Sequence, residues 1–380
     1  MKLKRAVSVI LVVGVILAVF SVSKAVVDLR GIEEVTKKDV LTPADLQVID
    51  EFMNDAVTDL VRTEDFTAVS KTRSIILNHQ ADKAQPSAQE QYALQFSESA
   101  YKQIGEAIRE ADGLPNESKR FKVITNLLIL ADSLKDPRLV DLAIGQIRRE
   151  NGPVRYWAVR AATDPELWSK LSQQEGVAAQ ASARILTDCS QVAAGSGPES
   201  LRLMAEFAGR FNTAEAESLL VRVADARVAR YADWTVSYEL VDGAILKGLC
   251  DKLTAAGAAD SQTAKRFAQL YSFAMQRFIK GQRLGILKDT SRDYLISVLV
   301  GTEQNCLGRL LGSPQATITR LIQADDPIAL QAEHDRLFGA PGAPGVLPAK
   351  LNFSYGPEGA SQPTPILLTD PPQRPTPPEM

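Results

Sequence analysis

The sequence predicts an all-α fold: an irregular α-α superhelix, or solenoid, of stacked helix pairs that ends in a disordered, proline-rich C-terminal tail. Three observations predict it. Alanine and the aliphatic residues dominate while aromatics make up only 6% of the chain, a balance that favours packed helices over a β-sandwich rich in Val, Thr and Tyr. Apolar residues recur at steps of three and four through most of the chain. Several of these runs open with Asp-Pro or Thr-Pro, where the first residue caps and the proline supplies the fixed φ of the first turn.

Ahead of the first run lie MKLKR, the apolar stretch AVSVILVVGVILAVF and then SVSKA. A basic start, an apolar centre and small residues (Ser23 and Ala25) before a cut are the three parts of a secretory signal peptide, here residues 1–25. The competing expectation is an uncleaved anchor, since Ala6 to Ser23 is 18 residues without a charge, at the lower limit for a membrane span. Either way the remainder is expected outside the cytoplasm, in a periplasm or secreted. The chain carries a net charge of −3, and its first 25 residues hold Lys2, Lys4, Arg5 and Lys24 but no acid. The remainder is therefore more acidic still, which excludes the basic footprint of a nucleic-acid binder.

The N-terminal helical region, 26–192, begins with LTPADLQVIDEFMNDAVTDLV, where Thr42 is the N-cap and Leu46, Ile49, Met53, Val57 and Leu60 share one face. Helices are predicted next over residues 65–79, 88–111 and 118–134, separated by breaks at ADKAQPS and GLPNES. Two units follow. Residues 136–163 and 164–187 both start Asp-Pro-x-Leu, break at a glycine (Gly152, Gly176), continue into an alanine-rich helix led by valine and end in threonine. Val154, Trp157, Ala158 and Ala161 fall on one stripe, matched by Val177, Ala181 and Ile185 in the second unit.

At PVRYWAVRAAT the chain resembles the HEAT-like helical repeat family in its short-unit form, with a valine-arginine pair followed by alanines. The resemblance covers residues 136–187, and the second unit has Ala178 where the arginine would stand. It implies stacked helix pairs, and arginines that pair with carboxylates of their own or the neighbouring unit. Arg149, Arg155, Tyr156 and Arg160 are the candidate binding residues, a basic and aromatic cluster, with Arg148 beside them. A structural ladder is the alternative reading of the same residues.

AAGSGPES, residues 193–200, is the expected hinge, followed by a C-terminal helical region over 198–338. Thr213 caps one helix there. YADWTVSYELV could be a strand, but its continuation into AILKGLCDKL favours a helix over 231–250. Residues 261–280 place Ala264, Phe267, Ala268, Tyr271, Ala274, Met275 and Phe278 on a broad apolar face. Shorter helices are predicted at 289–300, 314–324 and 327–338, the last behind Asp326-Pro327. Eleven of the 20 prolines lie from Pro341 onward, so residues 339–380 are expected to be disordered or polyproline-like, an inert end or a spacer.

Chemistry is scarce. Cys189, Cys250 and Cys306 match no metal spacing and read as buried thiols, with one disulfide possible between two of them. His79 ends a helical pattern, where a cation suits the helix dipole. His334 stands between Glu333 and Asp335, three side chains that fan around a helix. No phosphate loop, G-x-S-x-G or H-E-x-x-H occurs, and no cofactor is expected. Asn116-Glu117-Ser118 and Asn352-Phe353-Ser354 match a glycosylation tripeptide that also arises by chance. The function expected is an exported helical-repeat scaffold that binds another protein or an envelope component without catalysis, with membrane contact only if the apolar start is retained. The alternatives are a secreted all-α glycan hydrolase that uses a carboxylate pair and a membrane-tethered structural protein.

Overall fold

The computed structural model describes residues 29–371, apart from 81, 83, 256–260 and 357–361. The export segment expected at residues 1–25 and the end of the tail, 372–380, lie outside the described residues.

The described chain is all-α. Its first half runs through α1 (Leu29–Val35), α2 (Pro43–Arg62), α3 (Phe66–Leu77), α4 (Gln89–Asp112), α5 (Glu117–Leu134), α6 (Val140–Ile144), α7 (Gly152–Thr163), α8 (Pro165–Leu171) and α9 (Glu175–Val192). The second half contains α10 (Pro198–Ala208), α11 (Ala214–Ala232), α12 (Val241–Ala255), α13 (Ser261–Arg283), α14 (Asp289–Thr302), α15 (Gly308–Leu311), α16 (Thr317–Gln323), α17 (Pro327–Phe338) and α18 (Val346–Leu351). A single π turn, Glu303–Leu307, joins α14 to α15. The described β structure is one pair of two-residue strands, Gly339–Ala340 against Ala343–Pro344.

Sequence chemistry sets the helix starts. Thr42 and Asp45 form a reciprocal capping box at α2, which satisfies two donors that the first turn would leave open. The Lys38 ammonium, and then the amide and hydroxyl of Thr42, hold the Asp45 carboxyl down to about 2. Asp65, Asp164 and Asp326 cap α3, α8 and α17, and Asp136 caps a short 3₁₀ turn that leads into α6. Gly152 and Gly176, expected as breaks between helices, are early residues of α7 and α9 instead. Asn151 supplies the cap that starts α7.

Successive helices pack on one another along the chain. α2 lies against α4, α4 against α5, α5 against α7, α7 against α10 and α10 against α12. Alongside, α9 lies against α11, α11 against α13 and α13 against α17. One continuous buried cluster runs from Ile32 to Leu368. The stripe predicted in the first unit is core at Val154, Ala158 and Ala161, while Trp157 is half-buried against it. In the second unit Ala181 and Ile185 are buried, but Val177 is 50% exposed and does not join the stripe.

Three expectations are corrected. The 193–200 segment is tied down rather than free, because Arg155 and Arg230 donate to the carbonyls of Gly195 and Ser196 and Ser196 is buried. With α7 on α10 and α9 on α11, the core runs uninterrupted across the boundary expected at 192–198. Residues 233–240 are an irregular connection, neither strand nor helix. Finally, the proline-rich segment is ordered where it is described. Its α18 packs on α13 and α17, Tyr355 and Leu368 join the core, and residues 362–370 lie along α13. Prolines deprive this segment of a hydrogen-bonded ladder of its own, and side chains of α13 supply the missing partners.

Candidate functional site

The four residues expected to form a binding face make hydrogen bonds and ion pairs within the chain. Arg155 is buried, and its Nε and Nη1 donate to the carbonyls of Arg149 and Gly195 at 3.0 and 2.8 Å. Arg149 reaches Asp112 at 2.7 Å and Gln146 at 2.9 Å. Arg160 donates to Asp132 at 3.1 Å and to the Tyr156 hydroxyl at 3.4 Å, with its guanidinium 5.3 Å from the centre of the Trp157 ring. Lys135 ties Asp132 to Asp164, the cap of α8. These charges cross from one helix to the next, the ladder reading of the same residues.

A different arrangement emerges on α13. Lys265, Gln269, Ser272, Gln276 and Lys280 recur at steps of three and four, so they line one face over about 22 Å. Gln269, Ser272 and Gln276 are buried. Their partner is the extended segment 362–370. The Gln269 carboxamide both accepts from the Ile366 amide and donates to the Ile366 carbonyl, each at 3.0 Å. Gln276 accepts from the Leu368 amide at 2.8 Å and donates to the Ile366 carbonyl at 3.4 Å. Lys280 donates to the Leu368 carbonyl at 2.6 Å and to Asp370 at 3.0 Å. Lys265 holds the Gly356 carbonyl at 2.8 Å. A glutamine that satisfies both main-chain groups of one residue does what a neighbouring β-strand would do. Most of these bonds go to main-chain atoms, so this part of the recognition is indifferent to sequence.

Two supports hold the clamp in place. The first is a relay behind Gln276. Its Nε2 donates to Ser272 Oγ at 2.9 Å, Ser272 donates to His334 Nε2 at 2.8 Å, and His334 Nδ1 donates to Asp335 at 2.9 Å. The Asp335 carboxylate can only accept, so a ring proton sits on Nδ1. Burial lowers the His334 pKa below its ordinary 6.5, against the opposing pull of Asp335. Although the order serine, histidine, aspartate matches a nucleophile with its base, Ser272 and His334 are fully buried. What the relay does here is orient the Gln276 carboxamide so that Oε1 faces the Leu368 amide.

The second support is the 233–240 connection. Arg227 and Asp242, both fully buried, form a two-pronged pair at 2.5 and 3.0 Å. The Tyr231 hydroxyl adds a bond to Asp242 at 2.7 Å, and Arg227 also holds the Ser237 carbonyl at 3.1 Å. This fixes a connection in which Trp234 and Tyr238 take the left-handed φ values 57° and 52°, uncommon for bulky side chains and a recurrent feature of functional sites. The Trp234 indole N–H donates to the Thr369 carbonyl at 3.1 Å, and the Arg277 guanidinium lies 5.2 Å from the ring centre. Arg277 in turn pairs with buried Glu239 at 3.2 Å.

The sequence reading picked out the apolar face of residues 261–280 but passed over its glutamines. Two carboxamides seven residues apart in the buried middle of this amphipathic helix were the available signal, because each brings a donor and an acceptor that burial obliges it to satisfy. Among the described residues no group of three or more His, Cys, Asp or Glu side chains is placed to hold a metal ion, and no helix is long and apolar enough to cross a membrane. The three cysteines are free and buried. No protein-family model, curated protein or solved structure matches the chain.

Proposed function

We propose that the protein is an exported, non-enzymatic scaffold that binds an extended segment of another protein or envelope component in the groove along α13. The observation that carries this reading is the clamp itself: Gln269 and Gln276 hold main-chain groups of Ile366 and Leu368 as a peptide receptor would hold a ligand. The succession of neighbouring helices favours an irregular α-α superhelix, and the Asp-Pro starts at residues 136 and 164 favour HEAT-like units within it. The basic and apolar start of the sequence supports export, with the uncleaved segment as a tether the alternative fate. Buried carboxylates at Asp45, Asp132, Asp242, Glu303 and Glu333 are each engaged by groups of the chain itself. That favours binding over an acid–base pair acting on glycans.

The test is peptide binding by a chain whose own segment has been loosened. Leu368→Asp places a charge in the buried position and frees the groove. A fluorescent peptide copying residues 362–371 should then bind saturably, and adding Gln269→Leu with Gln276→Leu should abolish the binding. Binding that survives the double replacement would place the receptor elsewhere.

A further inference from the structure

Resting on that reading, we infer that the groove selects proline-rich segments in a three-residue register, and that residues 362–371 are its built-in competitor. The partner is a stretch of another chain with the pattern Pro-x-x-Leu. Burial along the occupant carries the register. Pro365 and Leu368 are buried, Gln362, Thr364 and Pro371 are half-buried, and Pro363, Ile366, Leu367, Thr369 and Asp370 are exposed, so the two fully buried positions stand three residues apart. Contact at every third residue is the period of a polyproline II helix, whereas a β-strand would touch at every second. Exposure of 54% at Ile366 and 61% at Leu367 against 3% at Leu368 rules out simple alternation.

The receptor side fits the same ligand. A polyproline II chain has no internal hydrogen bonds, so its carbonyls remain open to donors aimed from outside. The Trp234 indole N–H, the Gln269 amide and the Lys280 ammonium supply three such donors, to Thr369, Ile366 and Leu368. Aromatic-lined grooves that donate to the carbonyls of such a ligand are a recurring solution for proline-rich recognition, because a pre-extended ligand loses little entropy on binding.

Two features mark the occupant as held in place from its own chain. The Tyr355 amide donates to the Gln362 carbonyl at 3.0 Å, and the Ser354 hydroxyl accepts from the Gln362 amide at 2.8 Å, closing a loop just before the clamp. At Gly339, φ is 110° and a Cβ would fall 2.5 Å from the Pro363 carbonyl oxygen, so only glycine lets the segment approach. A tethered occupant competes at an effective concentration on the order of millimolar. An outside segment therefore gains access when its own affinity is high or when the internal segment is weakened.

The experiment is fluorescence anisotropy on the full chain with three labelled ten-residue peptides: the 362–371 sequence, its Pro365→Ala Leu368→Ala version, and a proline-free extended peptide of equal charge. The protein is used as wild type, as Leu368→Asp and as the milder Pro365→Ser, each checked for a native melting transition. The inference expects the 362–371 peptide to bind both loosened chains at least about tenfold tighter than the wild type. It also expects the other two peptides to bind at least about tenfold more weakly than the first. Equal binding of all three peptides would overturn proline selectivity and leave the peptide-binding reading standing. Equal binding by wild type and loosened chains would overturn the built-in competitor. Absence of binding by any peptide to either loosened chain would overturn the receptor itself.

Discussion

At the scale of single residues, the groove depends on buried polar groups that are costly when left alone. Asp242 is the sharpest case, because it answers Arg227 with two bonds and Tyr231 with one. Asp242→Ala strands a guanidinium in the core, and chemical denaturation should show a loss of about 3–5 kcal/mol, the usual cost of removing one partner of a buried pair. Tryptophan fluorescence should change in the same variant, because the connection that carries Trp234 loses its anchor. His334 gives a pH signature. Its pKa is lowered in the folded chain relative to 6.5, so the unfolded state binds the proton more readily. The stabilisation that follows is present above the ordinary value and is lost as pH falls through the folded one. The melting temperature of the wild type should therefore drop as the pH falls below His334's ordinary 6.5. His334→Gln, next to Glu333, Asp335 and Arg336, should show a smaller drop over the same window.

At the scale of elements, the helix starts are the part of this molecule that local chemistry writes most openly. Thr42, Asp65, Asp164, Thr213 and Asp326 all read as caps or as starts of helical runs, and each accepts from an amide in the first turn of its helix. Thr42→Ala should cost about 1 kcal/mol, measured by thermal or chemical unfolding. What did not read from the sequence is long-range. Val177 fits the stripe by spacing yet is exposed, because the register of α9 is set by Ala181, Ile185 and Cys189 against the core. The 233–240 stretch carries strand-like residues, but its conformation is set by Arg227 reaching Ser237 from the preceding helix. The tail was read from its prolines alone. Its order comes from Gln269 and Gln276, roughly a hundred residues earlier, whose need for partners shows only once both are known to be buried. In the arginine cluster, spacing gave the Tyr156–Arg160 pair, whereas the bonds to Asp132 and Gly195 required the fold.

At the scale of the whole molecule, the helices form one continuous core whose last layer is completed by a segment without secondary structure. That layer joins the parts of the account: α11 and α12 fix Trp234, α17 supplies His334, and α13 presents the amides between them. Gly339→Ala should tell how closely the segment must approach. Its added Cβ meets the Pro363 carbonyl, so limited proteolysis after residue 362 should accelerate while the helical signal in circular dichroism is retained.

The most direct test of the central claim is site-resolved amide hydrogen exchange at Ile366 and Leu368 in the full chain. The account predicts strong protection at both amides in the wild type, lost in Gln269→Leu Gln276→Leu while protection within α13 persists. Exchange of both amides at the rate of a free peptide in the wild type would contradict it, because the segment would then not occupy the groove.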